Sequence, residues 1–262
     1  MSVQSDYKGS PFALFGVKGG QTSADISLAT LVGIKFQSTD SREFTLVQNG
    51  ATALAAGVLV QGPATVGANH TGLAIATAAA TGATSLIVTL GGTLSTANQY
   101  AGGYVTIPTG TNNGLTMKIA SHAAAASTAP LTLVLEDPLS SNIAVSGGAA
   151  TLILNPYGSL NGTNYTTHGV VIAPSSTATG QLVGVTFYPI AASTATIPSY
   201  GWIQTKGPVA CLATGTATAG LGTMLGDING SVAVHVVATN AQIGRFLVTA
   251  ATNSKNLIYI DL

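Results

Sequence analysis

Apolar and polar residues alternate in short runs along most of the chain. In "LTMKI", Leu115, Met117 and Ile119 fall on one side and Thr116 and Lys118 on the other, the period of two of a half-buried strand. Leu131, Leu133 and Leu135 repeat the pattern in "LTLVLEDP". Other runs of strand length, bounded by Gly, Asn, Asp or Pro, are "LVGIKFQ", "EFTLVQ", "GVLVQGP", "SLIVTL", "GYVTIP" and "ATLILNP". The last third continues with "GVVIAP", "QLVGVTFYPI", "YGWIQTKGPVACL", "SVAVHVVA", "GRFLVTA" and "NLIYIDL". "TGTNNG" supplies Gly and Asn where a tight connection needs positive φ, which predicts a hairpin over 104–119. No stretch combines helical spacing with caps, and the Ala-rich "SHAAAASTAP" is short and closed by Pro130. The pattern predicts well over a dozen strands and very little helix.

Boundaries follow from shifts in composition. Residues 1–30 show no periodic element and carry Phe12 and Phe15 in "PFALFG", aromatics that would be awkward on a free tail. They read as an extended N-terminal arm that docks on another surface, or folds back on its own domain. Residues 81–157 form a strand-dense block framed by "ATGATS" and "NPYGS", expected to be a β-rich subdomain inserted between 31–80 and 158–262. The expectation is a mainly β protein: an antiparallel β-barrel or sandwich body, an inserted β subdomain and the arm.

Charge changes the picture most. Asp, Glu, Lys and Arg make up 6% of the 262 residues, against roughly 25% in an ordinary globular domain. Buried centres of protein interfaces are depleted in Lys, Glu and Asp, so much of this surface is expected to be covered by other subunits. The alternative is a Thr/Ser/Asn surface that tolerates low charge. A net charge of zero gives no basis for phosphate binding, so nucleic acid is not an expected direct partner. The uncharged tract 71–92 has the length of a membrane span, but its Thr and Gly residues argue for buried strand and loop, and no membrane partner is expected. The first twenty residues lack the basic cluster and apolar core of an export signal, which predicts synthesis in the cytoplasm.

Candidate chemistry is sparse. Of the eight acids only Glu136 and Asp137 are adjacent, and neighbours on a strand face opposite sides, which suits a solvated turn better than a catalytic pair. His70, His122, His168 and His235 stand far apart without HxH or HExxH spacing, and His235, between Val234 and Val236, reads as the polar face of a strand. "GLGTMLG" at 220–226 has GxGxxxG rather than GxGxxG spacing and no following helix, and reads as a turn. No GxSxG elbow is present. Cys211 is the only cysteine and reads as a small buried apolar residue. No catalytic residue, metal ligand or cofactor is assigned, and the chain is expected not to be an enzyme.

"ATGATSLIVTLGGT", "NQYAGGYVTIPTGTNNGLTMKIASHAAA", "LTLVLEDPL" and "LILNPY", with "YGWIQTKGPVACL" and "GRFLVTA", resemble structural proteins of tailed bacteriophages over residues 81–262. The resemblance implies a virion component of the capsid decoration, or cement, type. Such a protein binds the outside of the major capsid shell, forms a homotrimer and is assembled in the host cytoplasm. Tyr7, Phe12 and Phe15 are then the candidate capsid contacts, since aromatics bury large area at low entropic cost. Tyr200 and Trp202 are the candidate subunit-interface residues, with the protein core as the other reading of Trp202. The alternative is a phage tail, fibre or knob protein involved in binding a host receptor.

Overall fold

The computed structural model describes residues 21–22 and 30–262, except 68–69, 111, 146–147, 160–164, 176, 217, 227, 236–241 and 250. Among the described residues the chain is all-β, with seventeen strands and no α-helix. It divides into two compact units. One runs to Pro63 and resumes with Pro156–Gly158 and Tyr165–Leu262; the other comprises Ala64–Asn155 together with Ser159.

The second unit is a closed barrel. Its strands are β5 (Leu73–Thr77), β6 (Ser85–Thr89), β7 (Tyr104–Thr109), β8 (Thr116–His122), β9 (Pro130–Leu135) and β10 (Ala149–Ile153). They close in the order β10, β5, β6, β9, β8, β7, every neighbouring pair antiparallel. Strands β7, β8 and β9 follow one another directly, and β6 lies beside β9 after a crossover over 90–103, a Greek-key connection. Closure leaves no free sheet edge. The unit therefore begins at Ala64 and not at the expected residue 81, because β5 must fill the gap between β6 and β10.

Period-two patterning places the core. On β9, Leu131, Leu133 and Leu135 point inward between exposed neighbours, and meet Leu86, Val88, Val105, Ile107 and Ile119. Each such side chain contributes about 1.5–3 kcal/mol by leaving water. The hairpin between β7 and β8 turns through Gly110, Asn112 and Gly114, at φ +100°, +64° and +87°. Outside, Lys118 Nζ meets Glu136 Oε1 at 2.9 Å, both about 40% exposed, so the pair adds under about 1 kcal/mol. A bulge between Ile119 and Ser121 shifts the alternation by one and turns His122 inward.

The first unit holds an eleven-stranded sheet. Its strands are β1 (Gln21–Thr22), β2 (Lys35–Gln37), β3 (Glu43–Gln48), β4 (Leu59–Gln61), β11 (Val171–Ile172), β12 (Leu182–Thr186), β13 (Ser199–Ala213), β14 (Gly222–Leu225), β15 (Val232–Val234), β16 (Gly244–Phe246) and β17 (Ser254–Asp261). The fifteen-residue β13 is the spine. Its first half pairs with β3 and β12, its second half with β17. The pairings β13–β15–β14–β16–β17 return to β13, and Val209, Cys211, Phe246, Ile258 and Ile260 pack together there. No helix among the described residues is long and apolar enough to cross a membrane; the uncharged tract 71–92 is instead β5, a turn at Gly82 (φ +86°) and β6.

Candidate functional site

The proposed arm contacts Tyr7, Phe12 and Phe15 lie outside the described residues. Tyr200 and Trp202 are both placed, and the structure corrects their reading as interface residues. They are 0% and 1% exposed within the single chain, so neither presents surface to a second subunit. The cause is the covering of β13 on both faces. From Ser199 to Thr205 every residue is buried, with Trp202 registered opposite Leu46 of β3 and Ile190 pressed against the Gly201 backbone. Pattern reading could not see this, because "SYGWIQT" mixes polar and aromatic residues as a surface strand would.

A group of buried polar side chains surrounds Asn49. Its Nδ2 donates to the carbonyls of Thr52 (2.9 Å) and Ala191 (2.7 Å), and its Oδ1 accepts the Gly50 N–H at 2.8 Å. The Ser193 hydroxyl donates to the Asn49 carbonyl at 2.5 Å and accepts the Ser199 N–H at 2.9 Å. Gln48 Nε2 donates to the carbonyls of Asn49 (2.9 Å) and Tyr165 (2.7 Å). Glycine is required at position 169, since a Cβ there would run into the Asn49 carbonyl. Each of these bonds has a backbone group on one side, and no acid or base takes part. The cluster clamps chain segments; with its hydroxyl donating to a carbonyl, Ser193 is not poised as a nucleophile.

Two histidines that stand 52 positions apart pack against the same tyrosine ring. The rings of His70 and His122 lie 5.3 and 5.8 Å from that of Tyr100, and all three residues are buried. The Tyr100 N–H donates to His122 Nε2 at 2.9 Å, while His122 Nδ1 stands 2.8 Å from the Ala123 carbonyl. Only the Nδ1–H tautomer satisfies both contacts. His70 Nε2 lies 3.2 Å from the Thr93 carbonyl. Burial depresses the pKa of both imidazoles, partly opposed by their hydrogen bonds to backbone carbonyls. An unfolded histidine titrates near about 6.5. With the folded values depressed, the neutral rings support stability fully above that pH, and the support is lost as pH falls toward the folded values.

Other candidates stay apart. Glu136 and Asp137 are exposed at the end of β9, and His235 lies just past the last residue of β15. "GLGTMLG" leads from a turn into β14. Among the described residues no group of three or more His, Cys, Asp or Glu is placed to hold a metal. An open depression of about 430 Å³ is lined by Leu94, Ser95, Thr96, Ala97, Ala124, Ala125 and Ala126, none of them titratable.

Cys211 is enclosed on β13, and burial pushes its thiol up to about 12. The thiolate is the reacting species. Native protein at pH 8 is therefore expected to leave an aromatic disulfide reagent unreduced over an hour, and to react with one equivalent once unfolded in guanidinium. Rapid native labelling would contradict this placement.

Comparison with protein-family models, with curated proteins and with solved structures returns no match. Fold and polar groups together define an all-β protein with a six-stranded barrel in one unit and a long-spined sheet in the other.

Proposed function

We propose that the chain is a non-enzymatic structural protein of a tailed-phage virion, a decoration protein that binds the outside of the major capsid shell as a homotrimer and stabilises it against the pressure of packaged DNA. The observation that carries this reading is the scarcity of charge on a surface that also exposes large apolar side chains. The whole sequence has eight basic and eight acidic residues. Three ion pairs, Arg42–Asp40, Lys118–Glu136 and Lys206–Asp261, take up six of them. Leu94, Val145, Ile197 and Ile228 are 44–56% exposed. Single exposed hydrophobics are ordinary; a chain of 262 residues with only sixteen charged ones is not. Such a surface associates through apolar area, shape and backbone hydrogen bonds, and a contact of about 800 Å² per partner is the usual scale for a stable interface.

Quantitative mass spectrometry of purified virions tests the reading. A copy number near that of the major capsid protein is expected. A ratio far below parity overturns it in favour of a tail, fibre or knob protein. The arm supplies a second test: a chain lacking residues 1–18 is expected to keep its circular dichroism and lose capsid binding, and normal binding by the shortened chain removes Tyr7, Phe12 and Phe15 as anchors.

A further inference from the structure

We propose that His122 is an acid-sensitive latch on the barrel crossover: protonation of its Nε2 removes the acceptor that holds the Tyr100 amide and loosens the centre of the turn at residues 98–102, whose two ends stay tied by the Asn98 amide to the His122 carbonyl and by the Gly102 amide to the Ile119 carbonyl. Geometry makes the latch one-sided. Nδ1 already spends its hydrogen on the Ala123 carbonyl at 2.8 Å, so a second proton can go only to Nε2, where the Tyr100 N–H points at 2.9 Å. Two donors would then face each other, and the Tyr100 amide would lose its partner inside the protein.

Among the described residues no buried carboxylate stands ready to take up the cation. The Asn98 side chain is occupied, its Oδ1 accepting the His122 backbone N–H at 3.0 Å. Facing His122 from the crossover is Tyr100, with His70 against the same phenol ring. Its partner on β9 is Leu133. Between residues 64 and 155 the only charged side chains are Lys118, Glu136 and Asp137. Lys118 and Glu136 pair on the outer side, and Asp137 is exposed beside them. A new positive charge at His122 therefore meets a phenol ring that also carries the His70 imidazole, and no buried carboxylate among the described residues. Burial keeps the ring neutral at pH 7 and sets the direction of the switch, closed when neutral and open in acid.

The crossover is where such a change has reach. It connects β6 to β7, and its residues Leu94–Ala97, bridged to the chain after β8 by the paired backbone groups of Ser95 and Ala125, line the open depression together with Ala124–Ala126. Loss of the Tyr100 bond loosens the chain beside that surface, while the Ser95–Ala125 bridge and the strand pairings remain.

Amide hydrogen exchange on the full-length chain, read by NMR and corrected for intrinsic rate, tests the latch. Protection of the Tyr100 amide is expected to fall by about tenfold or more between pH 7.5 and the acid end of the His122 ring's own NMR titration, while the Leu54 amide, bonded to the Ile190 carbonyl of the other unit, keeps its protection. His122→Gln keeps an oxygen acceptor near Nε2 that does not titrate, and is expected to hold Tyr100 protection constant over the same range. Unchanged Tyr100 protection in the native chain overturns the proposal, as does an equal loss in His122→Gln. Should that variant fail to fold, the native chain still decides: the midpoint of the Tyr100 loss must coincide with the NMR titration of the His122 ring, and separate midpoints overturn the assignment.

Discussion

Replacing Trp202 by alanine is expected to lower the unfolding free energy by about 3–5 kcal/mol, the range for removing a large aromatic side chain from a packed interior. Trp202 is among the largest fully buried side chains of the protein and sits on the half of β13 that is covered on both faces. Its neighbours are held by β3 and β12 pairing and cannot collapse freely into the space. Urea unfolding followed by far-UV circular dichroism should show the midpoint moving down, with Trp202→Phe falling between the two. The same experiment separates core from interface. A residue that only joined subunits would change the oligomer seen in sedimentation and leave the stability of the single chain nearly intact.

The second large effect is expected at Asn49. Alanine there leaves the Thr52 and Ala191 carbonyls without the side-chain nitrogen that serves them, at about 1–3 kcal/mol for each group that water cannot reach, while the Gly50 amide keeps its bond to the Val170 carbonyl. A net loss of about 2–4 kcal/mol is expected, since partial relaxation recovers some of that cost. Asn49→Asp should be worse than alanine at neutral pH, because a carboxylate would face two carbonyl oxygens that the amide nitrogen now serves. Thermal unfolding at pH 7.5 gives the order: native highest, Asn49→Ala lower, Asn49→Asp lowest. An aspartate variant as stable as the native chain would show that the side-chain nitrogen is not holding these carbonyls.

Strand β9 shows how much could be read directly. Its inward leucines alternate with polar or exposed residues, and the structure buries Leu131, Leu133 and Leu135 as the period requires. Strand β5 shows the opposite. "LAIAT" is followed by a run of Ala and Thr, so its weak contrast merged with the loop before residue 81 and put the start of the insert too late. The bulge in β8 is a finer case: strict alternation would turn Ser121 inward, but one extra residue puts His122 there beside Tyr100. Tyr200 and Trp202 were legible as special residues, yet their surroundings were not.

The sequence by itself determined the all-β character, most strands, the positive-φ hairpin at 110–114 and the scarcity of charge, because each is carried by residues one to four positions apart or by composition alone. Only the tertiary structure decided which strands close the barrel, that β13 is covered on both faces, and which polar groups meet in the interior. The Asn49 side chain bonds to Ala191, 142 positions away, and His70 and His122, 52 positions apart, pack against the one Tyr100 ring. Such contacts arise from the joint burial of distant segments, whose backbone groups must find partners once water is excluded, and no local pattern encodes which distant group will be there.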